Sequence, residues 1–153
     1  MMKRKKFNIV LVMPQIPQNT GNIGRLCVNT GTPLHLIRPL GFSLDDRYIK
    51  RAGLDYWKHL NLTIHESVAD FLEYASVTPK YFFSTKTEQS MYECPFEDGA
   101  FLIFGNEGSG LPEPVYHDYK ESLYTIPMYG KGSRSLNLAN SAAIVLYEGI
   151  RPI

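Results

Sequence analysis

Phe101-Leu102-Ile103-Phe104-Gly105-Asn106-Glu107-Gly108-Ser109-Gly110-Leu111-Pro112 decides the fold. The first four residues are continuously apolar, which suits a strand covered on both faces in a parallel sheet. Three glycines in the next six residues predict a loop with exposed backbone N–H and C=O groups at the strand's carboxyl end. Pro112 suits the first turn of the helix that follows. In open α/β sheets, ligands sit in this position, beyond strand ends and near helix N-termini. The loop is not the dinucleotide fingerprint, which opens a helix early in a βαβ unit, and no Gly-Lys-Ser/Thr closes it as a phosphate loop.

The same kind of unit recurs on either side. Short apolar runs at Phe7–Met13, Leu34–Arg38, Leu60–Ile64, Tyr81–Thr85, Ala100–Phe104 and Leu123–Met128 have strand length. Between them Asn22–Asn29, Asp45–Gly53, Ser67–Ala75, Pro112–Lys120 and Leu136–Ile150 read as helices. This alternation predicts an α/β fold, a mostly parallel sheet with helices on both faces. There is no internal repeat or linker, so residues 1–153 are expected to form a single domain.

Composition narrows the function. With 44% hydrophobic and 20% charged residues a packed core is expected and wholesale disorder is not. A net charge of +1 makes no global polycation, so nucleic-acid contact must rest on local patches. Cys27 and Cys94 are far apart and form no metal-ligand cluster with histidine, which suits a reducing cytosol and no bound metal. Lys3–Lys6 followed by Phe7–Met13 resembles a signal peptide, but the apolar run is short and lacks a small-residue cleavage site. No stretch approaches the roughly 20 apolar residues of a membrane span. His35, His59, His65 and His117 are scattered and receive no role.

Two further segments carry chemistry. In Ile16-Pro17-Gln18-Asn19-Thr20-Gly21-Asn22-Ile23-Gly24-Arg25, the glycines can admit a ligand, and Asn19, Thr20 or Asn22 can cap a helix. Arg25 then falls on its first or second turn and can grip a phosphate, unless the segment is only a capped turn with a solvated arginine. Ile126–Asn140 leads into the last helix, with Ser133 or Ser135 as natural N-caps. That helix is apolar nearly all round, so a second subunit is expected to cover it. Glu107 is read equally as solvated or functional.

Together the segments resemble the three motifs of the SPOUT, or α/β-knot, methyltransferases. The match is Asn19-x-Gly21-x-x-x-Arg25, Phe104–Pro112, and Ile126-Pro127-Met128 through Ser135-Leu136-Asn137-Leu138-Ala139-Asn140. Ile16–Ile23, Leu36–Phe42 and Arg51–Trp57 further resemble the small TrmL (YibK, CspR) subgroup, which 2′-O-methylates the wobble nucleotide, position 34, of certain leucine tRNAs. The resemblance implies a deep trefoil knot in the C-terminal half, a homodimer with Tyr147 in its face, a cytoplasmic setting and S-adenosylmethionine as cofactor. It implies a cofactor pocket of Phe83, Ser84, Gly105, Gly110, Ile126, Met128, Ser135 and Leu136. Arg25 would be the catalytic arginine, positioned with its substrate by Asn19, Glu107, Ser135 and Asn137. The wording Asn106-Glu107-Gly108-Ser109-Gly110 is closer to the wider class of tRNA and rRNA ribose methylases. Another tRNA or rRNA position therefore stands as an alternative, as does a catalytically silent RNA-binding module.

A ribose hydroxyl must lose its proton as it accepts a methyl group. An arginine side chain is a poor base alone, so Arg25 is expected to act with the RNA's own phosphate. Arg25, Arg47, Lys50, Arg51, Lys131 and Arg134 are the candidate RNA contacts. Arg47-Tyr48-Ile49-Lys50-Arg51 and Tyr56-Trp57-Lys58 interleave cations and aromatics as single-strand binders do, although Trp57 reads equally as a core anchor.

Overall fold

The computed structural model describes residues 4–47, 49, 51 and 56–152. The six apolar runs all become strands: β1 (Asn8–Val12), β2 (Leu34–Ile37), β3 (Leu62–His65), β4 (Lys80–Phe83), β5 (Phe101–Phe104) and β6 (Leu123–Tyr124). They form one sheet in the order β3-β2-β1-β5-β4-β6, and every pairing is parallel. The continuous runs lie in the middle. Ile9 pairs with Leu34 on one side and Leu102 on the other, and all three are fully buried.

The helices are α1 (Pro17–Thr30), α2 (Val68–Tyr74), α3 (Glu113–Asp118) and α4 (Leu138–Ile150). Alternate strand residues feed two cores, one on each face of the sheet. Ile9, Leu11, Leu34, Leu102 and Phe104 pack with Ile23 and Cys27 of α1 and Ala142, Val145 and Leu146 of α4. Val10, Val12, Ile37 and Ile103 pack on the other face with Phe71 of α2 and Val115 of α3. Both cysteines are free and buried.

Three local expectations change. Helix α1 begins at Pro17 rather than Asn22 because proline's fixed φ suits a first turn. Asn19, Thr20 and Asn22 therefore lie inside the helix, and none is its N-cap; Ile16 holds that position without a side-chain cap. Helix α4 is capped by Asn137, not by Ser133 or Ser135, through bonds from Ala139 and Asn140 N–H to its Oδ1. Of the helix expected over Asp45–Gly53, Arg47, Ile49 and Arg51 are helical; Tyr48, Lys50 and 52–55 lie outside the described residues. No described helix is long and apolar enough to cross a membrane.

Candidate active site

Because all strands run the same way, the loops after β4, β5 and β6 converge at one edge of the sheet. They enclose a cavity of about 660 Å³. The glycine loop is organised from within by Asn106, which is buried. Its backbone exchanges hydrogen bonds with Gly110 (3.1 and 3.2 Å). Its Oδ1 accepts from Gly108 N–H, Ser109 N–H and Ser109 Oγ–H. Gly110 has φ +71°, a conformation natural to glycine. At Gly105 a Cβ would stand 2.2 Å from the carbonyl carbon of Gly110, so only glycine lets the loop close.

Glu107 points from this loop to the start of α1. Its Oε1 accepts from Gln15 N–H (2.9 Å), and its Oε2 from Ile16 N–H (3.0 Å) and Asn19 Nδ2 (3.1 Å). An acidic group here complements the positive end of the helix dipole. Asn19 Oδ1 in turn accepts from Asn137 Nδ2 at 3.0 Å. One polar relay, Glu107–Asn19–Asn137, thus ties together the glycine loop, the start of α1 and the start of α4.

The loop after β6 completes the cavity. Lys131 and Gly132 form a turn, while among the described residues 126–129 and 134–136 make no backbone–backbone hydrogen bond. The N–H and C=O groups there are available to a ligand, beside the apolar side chains of Ile126, Met128 and Leu136.

All the expected pocket residues line this one cavity: Phe83, Ser84, Gly105, Gly110, Ile126, Met128, Ser135 and Leu136, together with Asn19, Glu107 and Asn137. Arg25 does not line it. It is exposed on the third turn of α1, not the first or second, and its side chain forms no hydrogen bond or ion pair among the described residues. Tyr56 lies close enough to feel its charge: burial raises the phenol's pKa, and the Arg25 guanidinium opposes that rise. Arg47, Arg51, Lys131 and Arg134 are exposed, whereas Lys50 lies outside the described residues. Tyr147 is 56% exposed on α4.

The glycines of α1 do not face a ligand as expected. A Cβ on Gly24 would meet the Trp57 ring at 2.8 Å, and Gly21 C=O accepts from the Tyr56 hydroxyl. These two half-buried aromatics pack on α1, as the anchor reading of Trp57 expects. Sequence reasoning also missed Tyr116, whose hydroxyl accepts from Leu111 N–H at 3.2 Å and lies against Ser84. It missed the buried pair His35 and His65, whose Nδ1 and Nε2 are 3.0 Å apart. An asparagine two residues before a glycine was a usable signal for the Asn106 turn; nothing local marked Tyr116 or the histidines.

Residues 6–147 match the SpoU rRNA Methylase family. The chain belongs to that family. SpoU relatives of similar length lie close to it. A tRNA (cytidine(34)-2′-O)-methyltransferase of Methylovorus glucosotrophus is 45% identical over 146 residues, 95% of this chain and 94% of its own. One of Burkholderia ambifaria is 42% identical over 148 residues, with 95% and 94% covered. A solved structure described as "Structural insights into the 2-OH methylation of C/U34 on tRNA" has a TM-score of 0.90 at 46% identity, covering 96% of this chain and 95% of its own. The SpoU methyltransferase AviRb of Streptomyces viridochromogenes, in complex with AdoMet, shares the fold at 23% identity, with a TM-score of 0.81; this chain covers 59% of it and is itself covered over 99%. The parallel sheet and its converging loops are the SpoU methyltransferase scaffold, and this protein is an RNA methyltransferase.

Proposed function

We propose that this protein transfers a methyl group from S-adenosylmethionine to the ribose 2′-hydroxyl of the wobble nucleotide, position 34, of tRNA, with leucine tRNAs as substrates. The observation that carries this is the single cavity into which the expected pocket residues and Asn19, Glu107 and Asn137 converge. Its make-up fits the cofactor. Backbone groups of 126–129 and 134–136, unpaired among the described residues, suit the edge of an adenine, while Phe83, Ile126 and Leu136 suit its faces. When bound, S-adenosylmethionine supplies an electrophilic methyl group on a sulfonium.

The chain's own task is to orient the two substrates and to help the hydroxyl lose its proton. Alignment can supply about 7–11 kcal/mol, and general-base help about 10²–10⁴-fold. The Glu107–Asn19–Asn137 relay holds the cavity's walls in register. Arg25, whose exposed side chain has no hydrogen bond among the described residues, engages the RNA's phosphate, with Ser135 beside the cofactor. Arg47, Lys50, Arg51, Lys131 and Arg134 extend the RNA contact.

The protein works as a homodimer in the cytoplasm. The exposed Ile144 (39%) and Tyr147 (56%) on α4 support this, since a second subunit would cover them. It forms one domain with a trefoil knot. In support of the knot, the chain leaves edge strand β6 and returns as α4 to the middle of the sheet, against α1 and β5.

The test is transfer of radiolabelled methyl groups to total tRNA and rRNA, with the labelled nucleotide mapped. Label at the 2′-oxygen of position 34 is the expected result. Label elsewhere overturns the substrate assignment, and no label in any RNA overturns the activity.

A further inference from the structure

Among the described residues lining the cavity, Lys86 is the one cation and Glu107 the one carboxylate. They stand on opposite sides of β5, because Glu107 reaches toward the end of β1 while Lys86 follows β4. Glu107 already accepts three N–H bonds. Lys86 has no ion pair among the described residues; its ammonium lies 4.9 Å from the centre of the Tyr116 ring.

A chain of hydrogen bonds fixes this corner. Lys86 N–H donates to Ser84 Oγ (3.0 Å), Ser84 Oγ and Tyr116 Oη are 3.3 Å apart, and Tyr116 Oη accepts from Leu111 N–H (3.2 Å). Whichever hydroxyl donates to the other, its partner keeps a proton for a ligand, and both line the cavity. An ammonium with no ion pair among the described residues, over the ring of the tyrosine whose hydroxyl pair keeps a spare donor, is a site for an anionic oxygen.

We infer that Lys86, with the Ser84–Tyr116 hydroxyl pair, binds the amino-acid carboxylate of S-adenosylmethionine. This rests on reading the cavity as the cofactor site. The Tyr116 hydroxyl, by accepting from Leu111 N–H, also ties Ser84 to the glycine loop.

The test is calorimetric binding of S-adenosylmethionine and of its decarboxylated analogue to wild type, Lys86→Met and Lys86→Arg, with tRNA binding measured in parallel. Wild type should bind the intact cofactor roughly tenfold more tightly than the analogue, the size of one charge-assisted hydrogen bond. Lys86→Met should weaken the intact cofactor roughly tenfold and leave the analogue unchanged, and Lys86→Arg should recover most of the loss. Equal weakening of both ligands overturns the assignment. So does intact cofactor binding with weakened tRNA binding, which would make Lys86 a phosphate contact. A wild type that binds neither ligand refutes the cofactor reading of the cavity, and the carboxylate site falls with it.

Discussion

Glu107 Oε2 lies 3.1 Å from Asn19 Nδ2, joining residues 88 positions apart. The bond fastens the glycine loop after β5 to the first turn of α1, the helix that carries Arg25. Asn137 extends the link to the start of α4. The cavity and the helix bearing the proposed catalytic arginine therefore form one mechanical unit.

Removing the carboxylate should loosen that unit. Glu107→Ala leaves Gln15 and Ile16 N–H to solvent and should cost about 0.5–1.5 kcal/mol. Urea unfolding reads the loss, and methyl transfer should fall with it. Glu107→Gln keeps one acceptor oxygen and should be intermediate on both measures. Wild-type stability in Glu107→Ala would show that the bonds to the helix start carry no weight.

Asn137 has two separable duties. Asn137→Asp keeps the oxygens that cap α4 but loses the amide donor to Asn19. Near-normal stability with at least a tenfold drop in turnover is expected. Asn137→Ala loses both and should also cost about 1 kcal/mol of stability. Equal turnover in the wild type and Asn137→Asp would exclude the link to Asn19 from catalysis.

Gly105→Ala tests the loop closure. The new methyl group meets the backbone of Gly110 and Leu111 at 2.2–2.5 Å, and backbone cannot swing aside as a flexible side chain can. A loss of about 1–3 kcal/mol or more is expected, with S-adenosylmethionine affinity falling further than stability. Calorimetry that found normal binding would show that the loop tolerates being opened.

Arg25→Lys should leave folding within about 0.5 kcal/mol of wild type, because the side chain is exposed and makes no hydrogen bond among the described residues. Cofactor affinity should also hold. Single-turnover methyl transfer should drop roughly 10²-fold or more. Full turnover with normal cofactor binding would remove Arg25 from the chemistry.

The histidine pair predicts an acid-sensitive fold. Burial, and then the neighbouring His65, pushes the His35 pKa down to about 4, and burial lowers that of His65 as well. The unfolded chain, with a histidine pKa near 6.5, therefore binds more protons than the native state between those values. Stability is complete above about pH 6.5 and is lost as pH falls toward about 4. Urea midpoints should decline across that window in wild type, and more shallowly in His35→Phe. Identical slopes would show that the pair is not responsible.

Much of this was legible in the residues. Continuous runs such as Ile9–Val12 and Phe101–Phe104 declared parallel strands covered on both faces, and the glycines after Phe104 declared a tight loop at the strand's carboxyl end. Helix starts were less legible. Several residues near each could serve as a cap, and long-range partners chose among them. Glu107, 92 positions from Gln15, satisfies the start of α1, while Asn19 holds the amide that caps α4. The contacts of Tyr56 and Trp57 with Gly21 and Gly24, which fit the anchor reading of Trp57, leave no local signature.

By itself the sequence determined the strands, the parallel α/β class and the family, since these follow from local periodicity, turn chemistry and motif order. Only the tertiary structure decided which groups share one cavity. It joined Glu107 to Asn19 and Asn137, set Lys86 over Tyr116, paired His35 with His65 and left Arg25 outside the cavity on the exposed side of its helix. Those relationships depend on strand order and on the packing of helices onto the sheet, which bring together residues that no local pattern connects.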